Sequence, residues 1–280
     1  MRIMITGGSG RLGKDLNRTF GVKHEVLAPS HTEFDITNPS QVIGYVDFHQ
    51  PDILIHSAAM ADADVCQLNP AQAYLVNTLA TQNLAIACRK RQTTMVFIST
   101  DYVFDGLKGN PYTEFDATNP INIYGQSKLA AEQILKETLE RYFIIRTAWL
   151  FGIYGNNFLT GVIHAADMGT QIRAAFDQKG SPTSTLDLSM ALLHLVDTPF
   201  YGVYNVVNRG GLTWYEYARL ILSISGKQAH VEPIRKEERG PSPRPANTTL
   251  EPMCLDLRGI FRMPEITEAI EVCISELKQK

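Results

Sequence analysis

The chain has 280 residues, 44% of them hydrophobic, and a formal net charge of -3 from 26 basic and 29 acidic side chains. That length allows a large domain with a smaller annex, and the near-balanced charge offers nothing to attract nucleic acid. No run approaches the roughly 18 uninterrupted apolar residues of a membrane span, and the four scattered cysteines lack the Cys-x-x-Cys spacing of a zinc site or a disulfide framework.

An apolar strand, Arg2 to Thr6, begins directly after Met1, so no signal peptide is expected and a cytoplasmic protein with reduced thiols is. The strand runs into Gly7-Gly8-Ser9-Gly10-Arg11-Leu12-Gly13 and then a helical pattern through Leu16 and Phe20. Strand, glycine turn and helix together predict a dinucleotide site: the glycines let backbone approach a pyrophosphate, and the helix N-terminus favours its charge. Gly7, Gly10, Arg11, Leu12 and Gly13 are therefore candidate cofactor contacts. The next strand, His24 to Ala28, ends in Pro29-Ser30-His31 without the acid that usually holds the adenosine ribose of NAD. With Arg11 as a cation near a 2′-phosphate, this favours NADPH; Arg11 as an ordinary solvated arginine, and Glu33 as the missing acid, keep NADH open.

In the following loop Asp35 could accept from an adenine amino group while the Ile36 backbone pairs with the ring, and Thr37 or Asn38 could cap the next helix; the two readings can hold together. A third strand, Pro51 to His56, exits into Ser57-Ala58-Ala59, side chains small enough for a ligand to lie against the backbone. His56, alone in an apolar strand, reads as a core residue more readily than as an acid or base. Pro70 to Arg91 has the spacing of one long helix, with Asn77 either a polar brace near the site or a surface residue.

A fourth strand, Thr94 to Ile98, delivers Ser99, Thr100 and Asp101 at its carboxyl end, where ligands of open parallel sheets bind. After a turn-rich loop, Ile121 to Arg141 predicts a helix on which Tyr124 and Lys128, four apart, share one face. A hydroxyl, a phenol and a cation converging at a strand end suit proton transfer at a carbinol or carbonyl oxygen. A fifth strand, Tyr142 to Arg146, leads to Thr147-Ala148-Trp149 and a glycine- and asparagine-rich stretch. Ile172–Phe176 and Gly202–Val206 read as later strands returning to the sheet, and from Arg209 onwards the chain looks less regular. The expected fold is a doubly wound parallel α/β sheet (Rossmann) built from 1–149 and 171–208, with a smaller C-terminal substrate-binding domain from 150–170 and 209–280.

The blocks Ile98-Ser99-Thr100-Asp101-Tyr102-Val103-Phe104-Asp105-Gly106, Tyr124-Gly125-x-Ser127-Lys128, Arg146-Thr147-x-Trp149 with Gly155-x-Asn157-Phe158, Asp177-Gln178-x-Gly180-x-Pro182-Thr183 and Arg244-Pro245-x-Asn247 resemble the dTDP-4-dehydrorhamnose reductase family of extended short-chain dehydrogenases/reductases. The resemblance spans nearly the whole chain. It implies NADPH or NADH as cofactor and a dTDP-4-keto-6-deoxyhexose as substrate; no residue is assigned to a metal, composition calls for no nucleic-acid or membrane partner, and a homodimer and a bound divalent metal stay open. By the same resemblance Tyr124 gives the proton, Lys128 binds the nicotinamide ribose, and Thr100 orients substrate. Asp101, Trp149 and Asn157 fall on the substrate side, and Ala58, Ala59 and Met60 border the cofactor. Met60 stands where the family usually has tyrosine, and Pro264-Glu265-Ile266 lacks the family's common tryptophan. A sugar-nucleotide epimerase or dehydratase on the same scaffold is the rival enzyme. A non-catalytic dinucleotide-binding subunit, like the beta subunit of methionine adenosyltransferase, is the rival of another class.

Overall fold

The structure is a computed structural model and describes residues 1–279. In chain order its first half comprises β1 (Arg2–Thr6), α1 (Arg11–Phe20), β2 (Glu25–Leu27), α2 (Pro39–His49), β3 (Ile53–His56), α3 (Ala63–Leu68), α4 (Pro70–Tyr74), a π-turn over Leu75–Leu79, α5 (Ala80–Arg91), β4 (Thr94–Thr100), α6 (Ile123–Thr138) and β5 (Tyr142–Thr147). The second half adds β6 (Leu150–Phe151), α7 (Phe158–Asp167), β7 (Ile172–Ala175), β8 (Lys179–Gly180), β9 (Thr183–Ser184), α8 (Thr185–Leu195), β10 (Gly202–Asn205), β11 (Leu212–Thr213), α9 (Trp214–Ser225), β12 (Val231–Ile234), α10 (Met253–Arg258) and α11 (Ile266–Leu277).

Six parallel strands in the order β10-β5-β4-β3-β1-β2 form the main sheet. Strands such as Ile3–Ile5 and Met95–Ile98 are apolar on both faces because helices cover both. Ile3, Ile5, Ile55, Ile98 and Ile145 pack with α1 and α8, whereas Met4, Leu54, Phe97 and Ile144 pack with α2, α5 and α6. The order reverses between β1 and β3, and in such sheets the ligand crevice lies at that switch, outside the carboxyl ends of the strands.

The smaller layer has its own core, in which Tyr217, Ile221, Ile270 and Cys273 surround the β7–β12 pair. The strand expected to return to the main sheet at Ile172–Phe176 forms, but here: Ile172 and Ala174 bury against α9 and α11, and β7 pairs with β12 instead of the sheet. Of the stretch 171–208 assigned to the dinucleotide domain, α8 and β10 join the main sheet and β7 does not. The chain beyond Arg209 is also more regular than expected. Thr213 and Glu216 form a reciprocal capping box that starts α9, the Thr-x-x-Glu signature of a helix N-terminus.

The helix expected over Pro70–Arg91 is present but carries the π-turn at Leu75–Leu79, which places Asn77 inward. Its side chain accepts from Met60 N, donates to Met60 O and donates to Ser127 Oγ, at 2.9, 3.0 and 3.0 Å. Asn77 is thus the brace between the β3 exit and α6. His56 is a satisfied core residue, hydrogen-bonded to Thr6 at 2.7 Å and Thr81 at 3.1 Å and pushed down to about 3 by burial. No helix among the described residues is long and apolar enough to cross a membrane.

Candidate functional site

Two clefts meet at the carboxyl ends of the sheet. The smaller, about 300 Å³, is bounded by Gly7, Gly10, His31, Phe34, Ile36 and Ala58. The larger, about 540 Å³, runs from Arg11 and Leu12 past Thr100, Asp101 and Tyr124 to Arg244. Ser57 and Ala59 line both, so the two form one continuous groove from the end of β2 to the smaller layer.

The glycine turn is built for backbone approach. A Cβ on Gly13 would stand 2.2 Å from Gly7 O, so only glycine lets the first turn of α1 close on β1. No side chain caps α1 at Gly10, which leaves its first N–H groups for an anion at the dipole's positive end. These residues fit a dinucleotide pyrophosphate. Arg11 is turned elsewhere than a 2′-phosphate contact requires. Its guanidinium donates to Leu150 O at 2.8 Å and to Asn156 O, tying the turn to the loop after β6. Glu33 is engaged with Ser30 N and Oγ at 2.8 and 2.7 Å, so of the polar groups around the end of β2 it is His31 that lines the cleft. Asp35 spends one oxygen on Thr37 N and Oγ1, and Asn38 caps α2, with Ile36 at the cleft wall.

Tyr124 reaches the larger cleft because α6 starts very close to the β4 exit. Asn122 caps the helix by accepting from Gly125 N at 2.8 Å, and a Cβ on Gly125 would lie 2.1 Å from Tyr102 O. Thr100 ends β4, accepts from Tyr102 N at 3.2 Å, donates to Asp101 Oδ1 at 3.1 Å and stands beside the Tyr124 phenol, whose ionisation it favours. Burial pushes that phenol above its ordinary range, with Thr100 opposing. Asp101, 2% exposed, is pushed up to about 7 by burial, against hydrogen bonds from Thr248 and Thr100.

Lys128 shares Tyr124's helix face but lies deeper. It is 1% exposed, its Nζ stands 3.9 Å from the Phe97 ring centroid, and burial lowers it to about 7 while Glu132 opposes. Lys128, Gly13, Asp35, Met60 and Asn157 lie outside the walls of both clefts. Met60 is held by its backbone through Asn77; Asn157 caps α7 in a box with Thr160.

The far end of the groove joins Trp149, Gln178 and Arg244 to groups that sequence reasoning did not single out, Trp214, Arg239 and Asp64. Trp149, in a left-handed backbone conformation at φ 45°, stacks on Trp214 with ring centroids 3.7 Å apart. Arg239 lies 4.5 Å over Trp214 and donates to Gln178 Oε1; Gln178 in turn donates to the Tyr102 hydroxyl at 3.0 Å. Arg244 pairs bidentately with Asp64, at 2.7 and 3.1 Å. In sequence Arg239 belongs to the charge run Lys236-Glu237-Glu238-Arg239, which reads as a solvated face; only packing on Trp214 turns it inward. Among the described residues no group of three or more His, Cys, Asp or Glu side chains is placed to hold a metal.

A family model described as "RmlD substrate binding domain" matches residues 1–279. The crystal structure of dTDP-4-dehydrorhamnose reductase from Bacillus anthracis in complex with NADP superposes with a TM-score of 0.95 at 38% identity, covering 98% of this chain and 99% of that one. A dTDP-4-dehydrorhamnose reductase of Aggregatibacter actinomycetemcomitans is 33% identical over 274 residues, 92% of each chain. A dTDP-4-keto-6-deoxy-D-glucose reductase of Streptomyces niveus is 35% identical over 254 residues, 90% of this chain and 86% of that one.

Proposed function

The chain belongs to the RmlD substrate-binding-domain family, and from that premise we propose that it reduces the 4-keto group of dTDP-4-dehydrorhamnose with NADPH or NADH, Tyr124 giving the proton. The observation that carries this reading is the placement of the Tyr124 phenol, with Thr100 and Asp101, in the same groove as the uncapped start of α1. When bound, the nicotinamide cofactor supplies the hydride.

The protein's part is positional and acid–base. A reduction needs a protonated acid beside the carbonyl oxygen, and a phenol whose ionisation burial disfavours is protonated at neutral pH. Thr100, beside that phenol, steadies the phenolate left after transfer. Lys128, one turn along α6, is poised near 7, so an approaching anion makes it a cation beneath the site. Tyr102 lies edge-on to Tyr124, ring centroids 6.0 Å apart, and limits how the acid moves. At the other end Arg239 and Arg244 supply positive charge for a nucleotide diphosphate, and Trp149 supplies an apolar wall for the sugar. This divides the labour between the main sheet, which takes the dinucleotide, and the smaller layer, which takes the sugar nucleotide.

Incubation with dTDP-4-dehydrorhamnose and each cofactor should consume the nicotinamide absorbance and give dTDP-L-rhamnose. Tyr124→Phe should lower kcat by roughly 10²-fold or more while cofactor affinity holds; a variant turning over at full rate would remove Tyr124 from the acid role. Turnover of dTDP-4-keto-6-deoxy-D-glucose in place of dTDP-4-dehydrorhamnose would instead favour the activity named for the Streptomyces niveus relative, and no turnover with any keto sugar would favour the non-catalytic subunit.

A further inference from the structure

Thr147 ends β5 directly beside Thr100, its partner in the β4–β5 register. It lines the larger cleft, yet is only 4% exposed, and its Oγ1 has no hydrogen-bond partner among the described residues. A buried hydroxyl left unpaired costs about 1–3 kcal/mol, so one that persists at a ligand groove calls for an explanation. Its register partner does not share the condition. Thr100 Oγ1 is engaged with Tyr102 N and Asp101. Trp149 Nε1 is also unpaired, but its indole is packed against Gly180.

Strand alternation says which side of the groove the Thr147 hydroxyl serves. Arg146 reaches Glu132 on α6, the helix that carries Tyr124, while Ile145 packs on the opposite face with Leu12 and Leu16 of α1. Thr147 follows Ile145 by two residues and shares the α1 face. It therefore belongs, with its register partner Thr100, to the side where the groove continues from the glycine turn. Past a pyrophosphate at that turn, the part of a dinucleotide lying towards β5 is its nicotinamide half, whose polar substituent is a carboxamide with both donor and acceptor capacity.

We propose that Thr147 is a cofactor-binding residue whose hydroxyl pairs with the nicotinamide carboxamide, fixing which face of the ring is turned towards Tyr124. The assignment rests on the dinucleotide reading of the groove and adds to it the group that orients the reactive ring. A hydroxyl can accept from the amide nitrogen or donate to its oxygen, and either bond fixes the carboxamide and with it the ring.

The test compares Thr147→Val, which keeps shape and loses the hydroxyl, with Thr147→Ser, which keeps the hydroxyl. The dissociation constant of NADPH is read from nicotinamide fluorescence, and that of 2′-phospho-ADP-ribose, which lacks only the nicotinamide, by calorimetry. Thr147→Val should weaken NADPH about 5- to 10-fold, the worth of one hydrogen bond, and leave 2′-phospho-ADP-ribose unchanged; Thr147→Ser should bind both like the wild type. Since the hydroxyl is unpaired without ligand, Thr147→Val should melt at or above the wild-type temperature. Equal weakening of both ligands, no weakening of NADPH, or a melting temperature several degrees lower would each overturn the assignment. Failure of the wild type to bind 2′-phospho-ADP-ribose at all would overturn the dinucleotide reading beneath it.

Discussion

Replacing Lys128 with methionine should make the protein more stable while removing most of its turnover. The unfolded chain keeps this lysine protonated up to its ordinary 10.5, whereas burial makes the folded chain release the proton near 7. Between those values the unfolded state binds the extra proton. Wild-type stability therefore rises with pH through that window, and the penalty is greatest below about pH 7. At about 1.4 kcal/mol per pH unit the gap sets a ceiling of roughly 4–5 kcal/mol. The effective dielectric of real interiors lowers this, and an apolar isostere at such a site is expected to gain about 1–3 kcal/mol. Asp101 also titrates near 7, but its folded value is raised, so its contribution falls as pH rises towards 7 and is common to both proteins. Guanidinium unfolding of wild type and Lys128→Met at pH 7 and at about pH 9.5 should show the variant more stable at the lower pH, with the advantage shrinking at the higher. A variant less stable at pH 7, or an advantage that does not change with pH, would refute the argument from burial.

Gly13→Ala should abolish dinucleotide binding and lower the melting temperature, because its methyl group would meet the backbone oxygen of Gly7 at 2.2 Å; normal cofactor fluorescence titration would contradict this. Asn77→Ala removes the hydrogen bonds to Met60 N, Met60 O and Ser127 Oγ and should cost about 2 kcal/mol or more, read by denaturant unfolding. Asp64→Ala leaves Arg244, whose side chain is 8% exposed, without its carboxylate. It should cost about 1–3 kcal/mol and speed hydrogen exchange in the segment from Gly240 to Arg244, which Asp64 also holds through Ser242 N at 2.9 Å.

What was legible in the sequence had a local cause. The glycine turn, the β4 exit and the helix that carries Tyr124 are each set by neighbours within a few residues and form where they were expected, whereas Lys128 lies deeper than the cleft wall on which it was expected to meet Tyr124. The rest depended on contacts between distant segments. Ile172–Ala175 has the same apolar, branched character as the main strands, and nothing within it distinguishes a partner in the sheet from one at Val231–Ile234. Arg11 reads as free to meet a phosphate until the loop at Leu150 and Asn156 is folded against it. His56 was read correctly as core, since Thr6 and Thr81 satisfy both of its nitrogens. Asn77 stayed ambiguous because an ideal helix phase does not predict a π-turn, which is what rotates it inward.

The sheet order has a consequence for how the chain is made. By Thr147 five of the six main strands exist, but β5 sits at an open edge until β10 arrives at Gly202, after the chain has laid down β6, α7, β7, β8, β9 and α8. For that interval the ribosome holds out an unpaired run of Phe143, Ile144 and Ile145, residues fully buried in the finished protein. Such an edge is a template for pairing with another chain. Closing it requires contacts far apart in sequence, the slow kind to form. The last strand of the main sheet is thus also the seal on its most adhesive border, and a truncation that ends before it would expose that border permanently.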